Sequence, residues 1–74
     1  MTTTKFLTVR QEEVARLVAV GRTNDEIAAE LGIGPATVKR HVEDIRWALD
    51  ARNRAHLVWR AIQVGLLDPF EVAA

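Results

Sequence analysis

The chain has 74 residues, ten basic and ten acidic side chains, and no cysteine. This length permits one small domain with a modest core, and the lack of cysteine excludes disulfides and thiolate metal sites. No apolar run approaches the roughly 20 residues needed to cross a bilayer, and the first residues lack the regions of a signal peptide. We therefore expect a cytoplasmic protein with a single domain.

The charges sum to zero, but they are unevenly distributed. Residues 39–60 carry six basic and three acidic side chains, a net charge of +3. Residues 1–38 and 61–74 are both net negative. A small positive patch of this kind predicts weak and strongly salt-dependent non-specific affinity for nucleic acid.

The residue types that catalysis or metal binding would need are missing or scattered. The chain contains no serine and no glycine-rich phosphate loop, and His41 and His56 are too far apart for a zinc motif. The adjacent carboxylates Glu12 and Glu13 point apart on a helix. The sequence therefore predicts no enzyme, and no cofactor, metal or small-molecule ligand is evident.

A disordered arm over residues 1–6 precedes the first predicted helix, which spans about 9–20. Thr8 and Gln11 form a capping box, in which two side chains satisfy exposed backbone amides reciprocally. Gly21 stands where a helix commonly ends in the left-handed conformation.

The second predicted helix spans 24–31. Thr23 and Glu26 form another capping box at its start, and Gly32 marks its end.

The third predicted helix spans 35–49, with Gly34 as its cap and Pro35 at its first position. At about 100° per residue, one narrow sector collects the apolar residues Val38, Val42, Ile45 and Leu49. The opposite sector holds Ala36, Lys39, Arg40, Glu43 and Trp47. This periodicity predicts one face in the core and one face open to a partner.

The fourth predicted helix spans 54–64, with Asn53 as its cap and Gly65 at its end. Residues 68–74 form a tail. The chain is therefore predicted to be all-α, with four helices and no strand.

The spacing around the second turn predicts a helix-turn-helix. Ala28 supplies a small residue where two helices meet, Gly32 permits positive φ, and Val38 fixes the following helix. This layout places the second helix of the pair in the DNA major groove.

Residues 7–67 resemble the LuxR/GerE-type helix-turn-helix domain, and the TVKxH element at 37–41 is the most specific match. The other matching residues are Leu7, Thr8, Arg10, Glu13, Val14, Gly21, Asn24, Glu26, Ile27, Ala28, Leu31, Ile33, Ile45, Leu49, Arg54 and 65–67. The resemblance implies a four-helix DNA-binding domain that acts in transcription regulation, usually as a dimer through its last helix. The −35-reading region of sigma factors is also similar, but the fourth helix argues against it.

The resemblance implies roles for the third helix. Lys39 and Arg40 are predicted to contact bases or phosphates, with an ordinary solvated pair as the alternative. Thr37 and His41 are predicted phosphate contacts, although a local backbone bond and a packed ring, respectively, are the alternatives. Glu43 could accept from a cytosine amino group or remain a solvated charge.

Other predicted site residues lie outside the third helix. Thr23 and Asn24 can aim the amides of a helix start at a phosphate, and Arg54 is either a structural tether or a phosphate contact. The predicted dimer seam is formed by His56, Trp59, Arg60 and Gln63, and the alternative for Trp59 is a ring packed over a neighbouring helix or under the Phe70 tail. Trp47 faces either DNA or protein.

The sequence departs from the family pattern at several positions. Asp25 and Ala48 stand where lysine is frequent, and Asp50 with Ala51 replaces a common glycine-valine or asparagine-valine turn. Glu43 and Asp44 lie in the third helix, where family members more often carry neutral or basic residues. Together, these departures predict modest DNA affinity per domain.

Three functions remain open. The first is a stand-alone, sequence-specific transcription regulator, a nucleoid-associated homodimer on an inverted repeat. The second is an interaction module that binds RNA polymerase or another regulator. The third is the output domain of a longer response regulator, against which we count Met1 and the lack of a preceding linker.

Overall fold

The computed structural model describes residues 7–70, and four α-helices lie wholly within this range. The helices are α1 (Val9–Ala19), α2 (Asn24–Leu31), α3 (Pro35–Ala48) and α4 (Arg54–Gln63). Pro69 and Phe70, in the predicted tail, also have helical backbone. Within the described residues there is no strand, so the predicted all-α, four-helix fold is confirmed. Each predicted end of α1, α3 and α4 lies one residue beyond the observed end. The predicted arm 1–6 lies outside the described residues, as does the tail after Phe70.

Side chains close the starts of three helices, as the sequence predicts. Thr8 Oγ1 accepts from the Gln11 amide at 3.1 Å, and Gln11 Oε1 accepts from the Thr8 amide at 3.1 Å. At α2, Thr23 Oγ1 accepts from the Glu26 amide at 3.1 Å, and Glu26 Oε1 accepts from the Thr23 amide at 2.8 Å. At α4, the side-chain oxygen of Asn53 accepts from the backbone amide of the third helical residue at 2.8 Å. Each cap contributes about 1 kcal/mol of stability.

The ends of all four helices share one backbone motif. In each, an amide donates to the carbonyl five residues earlier, in the pairs Arg22–Leu17, Ile33–Ala28, Ala51–Arg46 and Leu66–Ala61. The residue before each donor is left-handed, and three of these are glycines, Gly21, Gly32 and Gly65. The fourth is Asp50, at φ 56°. This is the Schellman motif, which satisfies carbonyls that the helix leaves free.

Every helix contributes to a single apolar core. The largest fully buried side chains are Val14 of α1, Ile27 of α2, Val38 and Ile45 of α3, and Leu57 of α4. The predicted inner face of the third helix is confirmed, because all four of its residues are buried. No polar or charged side chain within residues 7–70 is buried. Truncating one of these core side chains to alanine removes about 2–5 kcal/mol of stability.

Two arginines tie α4 to the rest of the domain. Arg54 donates from Nη1 to Asn24 Oδ1 at 2.7 Å and from Nη2 to the Arg22 carbonyl at 2.8 Å. Arg60 donates from Nε to the Leu49 carbonyl, at the end of α3, at 2.8 Å. Charge-assisted bonds of this kind are stronger than neutral ones, so they fix α4 against both α2 and α3.

Candidate nucleic-acid interface

The connection between α2 and α3 fixes how α3 presents its outer face. Gly32 closes α2 at φ 69°, Gly34 caps α3 in an extended conformation, and Pro35 is the first residue of α3. Val38 is fully buried and anchors α3 against the core, and the small, buried Ala28 allows α2 to lie close by. The turn and these core contacts therefore set the direction in which the outer face of α3 points.

The outer face of α3 is exposed along its whole length. Its exposed residues are Ala36, Thr37, Lys39, Arg40, Glu43, Asp44 and Trp47. Within residues 7–70, the three ion pairs are Arg10–Glu13, Arg22–Glu30 and Arg46–Glu43, so Lys39 and Arg40 belong to none. Unpaired cations on a fixed helix are available to an anionic partner such as a phosphate or to acceptors on a base edge.

Two predicted contacts on α3 are less freely available than their positions along the helix indicate. Glu43 lies 3.4 Å from the Arg46 guanidinium, so a neighbouring cation partly offsets its charge. His41 is half-buried, and its Nδ1 is buried without a hydrogen-bond partner among the described residues. Any contact of His41 with a phosphate would therefore use Nε2.

The start of α2 forms a second polar surface, next to α4. Asn24 Oδ1 accepts from Arg54, so the amide nitrogen of Asn24 is the group left to donate to a partner. The Thr23 hydroxyl oxygen caps α2, which leaves its proton to donate outward. A shallow depression runs between these residues and Arg54. The structural tether predicted as one role of Arg54 is observed, and its phosphate contact stays a prediction.

In the predicted dimer seam on α4, three of the four residues form hydrogen bonds within the domain, and Trp59 and Gln63 are exposed. His56 Nδ1 accepts from the Arg52 amide at 2.9 Å, and Arg60 bonds to the end of α3. Trp59 is 55% exposed. Gln63 is also exposed, and its Oε1 accepts from Arg60 Nη1 at 3.0 Å. The part of this seam most accessible to a second chain is therefore the side of Trp59 and Gln63.

Sequence reasoning missed two features of this region. It did not find the bond from Arg60 to the Leu49 carbonyl, because a backbone acceptor leaves no mark in the residue pattern. It identified Asp50 as an unusual turn residue but did not predict its positive φ. A signal for it was present, because the other three helices end at glycines that permit positive φ. A fourth helix that ends in the same way also needs a left-handed residue, and Asp50 stands at that position.

The fold and the site define a helix-turn-helix domain in which α3 exposes two cations that form no ion pair within residues 7–70. Residues 5–61 match the family model described as "Bacterial regulatory proteins, luxR family". The chain belongs to this family, and the resemblance seen in its sequence is confirmed. The family consists of DNA-binding regulators rather than enzymes, so this domain is a DNA-binding domain of transcription regulation.

Curated relatives carry the same domain within longer chains. The chain is 40% identical over 62 residues to the "Probable transcriptional regulatory protein NarL" of Mycobacterium tuberculosis, which covers 84% of the chain and 29% of that protein. It is 42% identical over 65 residues to the "HTH-type transcriptional activator RamA" of Corynebacterium glutamicum, covering 88% of the chain and 23% of that protein. The chain is also 47% identical over 51 residues to the "Two-component response regulator PprB" of Pseudomonas aeruginosa. This match covers 69% of the chain and 18% of that protein.

The chain thus spans about a quarter of the length of the curated relatives it matches. In the part of the chain that the structure describes, no helix is long and apolar enough to cross a membrane.

Proposed function

We propose that the domain reads a specific double-stranded DNA sequence as a homodimer on an inverted repeat, with α3 in the major groove. The observation that carries this proposal is the exposure of Lys39 and Arg40 without any ion pair among the described residues. Recognition helices contact base edges with their N-terminal residues, and these two cations lie in the first half of α3. An arginine can engage guanine through two bonds, which gives about 1–3 kcal/mol of discrimination.

The remaining predicted contacts surround this pair. Thr37 and His41 on α3 would contact phosphates on one side of the groove. Thr23 and Asn24 at the start of α2 would contact phosphates on the other, helped by the positive end of the helix dipole.

Two further residues are assigned smaller parts. Arg54 would act mainly through Asn24, to which it is bonded. Glu43 would accept from a cytosine amino group only after turning away from Arg46, so its contribution would be small.

A dimer through α4 would supply the second half-site. Trp59 exposes a large apolar surface beside Gln63, and aromatic residues of this kind are enriched at protein interfaces. Two copies related by a twofold axis would place their recognition helices about one DNA turn apart, ~10 base pairs. The DNA site would therefore be palindromic. The protein would act in the cytoplasm, bound to the nucleoid.

Selection of bound duplexes from a random-sequence library at low salt tests this function. We expect a palindromic consensus, and the slope of log affinity against log salt should be about −0.9 for each phosphate contact. If no consensus emerges at low salt, the proposal of sequence-specific reading is wrong.

The dimer is tested separately by sedimentation equilibrium. Trp59→Ala should weaken self-association, whereas Trp47→Ala, which removes the other exposed tryptophan, should leave it unchanged. A monomeric wild type that binds single half-sites and full palindromes with equal affinity would refute the homodimer.

A second candidate is that this domain forms the DNA-binding output of a longer response regulator. The observation that favours it is the length of the relatives, one of which is named a two-component response regulator. An immunoblot of a cell lysate, probed with an antibody raised against the domain, would measure the mass of the protein in cells. A band near 8 kDa would exclude this candidate, whereas a band several times heavier would support it.

A further inference from the structure

The last turn of α3 carries an aromatic surface that the proposed DNA contacts do not use. Trp47 is 87% exposed, the largest exposed fraction among the large apolar side chains of the described residues. Shallow depressions flank its ring on two sides, the first lined by Gln11, Asp44 and Ala48. The second is lined by Glu43, Arg46, Asp50 and Ala51. We call Trp47, Asp44, Asp50 and Gln11 the Trp47 surface.

The charge of the Trp47 surface is negative and uncompensated. Asp44 and Asp50 are exposed, and neither forms an ion pair within residues 7–70. Glu43, by contrast, already lies against Arg46 at 3.4 Å. The end of α3 already has a cationic partner, because Arg60 donates to the Leu49 carbonyl at 2.8 Å. The negative charge at this place therefore comes from the two aspartates, and an exposed indole stands between two unpaired carboxylates.

This chemistry disfavours DNA as the occupant. A rise of 1.5 Å per residue places Trp47 about 12 Å along α3 from Lys39, beyond the N-terminal residues that contact base edges. The carboxylates of Asp44 and Asp50 would repel phosphates at close range. The same features favour a cation, because ammonium and guanidinium groups stack on the tryptophan face and bond strongly to carboxylates.

We propose that the Trp47 surface binds an arginine- or lysine-bearing segment of another protein. A cation stacks on the indole of Trp47 and donates to the carboxylate on its own side of the ring, which is Asp44 in the first depression and Asp50 in the second. The outer face of α3 is then divided between two partners of opposite charge, with DNA on the first half and a cationic protein segment on the last turn. This interaction goes beyond DNA reading and does not require it, so each can fail without the other.

A designed peptide tests the surface without a known partner. The probe is a fluorescein-labelled, alanine-based helical peptide with two arginines four residues apart, and the control peptide carries neutral citrulline at both positions. Binding to the full chain is followed by fluorescence anisotropy at physiological ionic strength. We expect the arginine peptide to bind with a dissociation constant below ~1 mM and the citrulline peptide to bind at least fivefold more weakly.

Three variants assign the binding to this surface. Trp47→Ala should lower the affinity for the arginine peptide by about fivefold to tenfold. The double variant Asp44→Asn with Asp50→Asn should lower it by a similar factor. Trp59→Ala, the matched control for an exposed tryptophan, should leave peptide binding unchanged. All three change only exposed side chains, and circular dichroism verifies that each variant is folded.

Other outcomes would overturn the proposal. Equal binding of the two peptides, or no binding of either, shows that the surface does not select cations. A fivefold or greater loss of affinity for the selected duplex in Trp47→Ala assigns the surface to DNA instead. A shift of the self-association constant in that variant assigns it to a second copy of the chain.

Discussion

The basic residues of α3 and those of α4 differ in what they contact. Lys39 and Arg40 extend from α3 and form no ion pair within the described residues. Arg54 and Arg60 on α4 bond to groups 30 and 11 residues away in the sequence, at 2.7 and 2.8 Å. The two cations on α3 are therefore available to a partner, whereas the two arginines on α4 hold that helix against the rest of the domain. The same residue type thus has two different functions, and net charge alone does not distinguish them.

The largest expected effect comes from the free cations. The double variant Lys39→Ala with Arg40→Ala should lower affinity for the selected duplex by at least about 30-fold, since each contact is worth ~1–3 kcal/mol. Its midpoint of urea unfolding should stay unchanged, because neither side chain is bonded within the described domain. Fluorescence anisotropy and urea denaturation measure the two quantities.

The matched control for this double variant is Arg10→Ala with Arg16→Ala, which removes the same charge from α1. If this control loses as much DNA affinity, the effect is general charge and not contact by α3.

The next largest effect is expected on stability rather than on DNA affinity. Arg54→Met should lower the free energy of unfolding by about 2–3 kcal/mol, because it removes two charge-assisted bonds and leaves Asn24 Oδ1 without its partner. Urea denaturation measures this, with Arg52→Met as the control, since the Arg52 side chain is exposed and forms no ion pair within residues 7–70. An Arg54→Met variant of unchanged stability but much weaker DNA binding would make Arg54 a phosphate contact instead.

A smaller loss of stability is expected at the other end of α4. Arg60→Met should cost about 1–2 kcal/mol, because it breaks the bond to the Leu49 carbonyl while keeping much of the apolar stem. Arg40→Met is the matched control, since it makes the same substitution at a free arginine. Equal unfolding midpoints for the two variants would show that the Arg60 bond contributes nothing measurable.

The smallest effect concerns the connection between α3 and α4. Asp50→Gly should raise the free energy of unfolding by about 1 kcal/mol, since glycine adopts positive φ without strain and a negative charge leaves a helix C-terminus. Asp50→Asn removes the charge only and should gain less. Thermal unfolding monitored by circular dichroism compares them, and a destabilised Asp50→Gly would show that the aspartate is held by a stabilising contact.

Local features of this fold could be predicted from the sequence, whereas its distant polar bonds could not. The capping boxes at Thr8 and Thr23 and the glycine ends of α1, α2 and α4 each depend on residues within one turn, so a short pattern identifies them. The buried face of α3 follows from helical periodicity. The bond from Arg54 to Asn24 joins residues far apart in the sequence, and no local pattern distinguishes a bonded arginine from a free one.

The candidate site shows the same division. The positions of Lys39, Arg40 and Trp47 on the outer face of α3 followed from the angle between successive residues. The pairing of Glu43 with Arg46 and the half-burial of His41 depend on side-chain conformations, which the sequence pattern does not specify. Where a residue lies on a helix could thus be predicted, and what it bonds to could not.

The Schellman motif at every helix end has a consequence for how the chain reaches its fold. The bond that ends each helix joins residues five positions apart, and three helices begin with a side-chain cap. Most helix boundaries are therefore determined by residues close in the sequence. Helical domains built from local contacts of this kind fold in microseconds to milliseconds. The chain should therefore refold far faster than a ribosome adds residues, which occurs at about 5–20 per second. The domain would then be complete almost as soon as its last helix is synthesised.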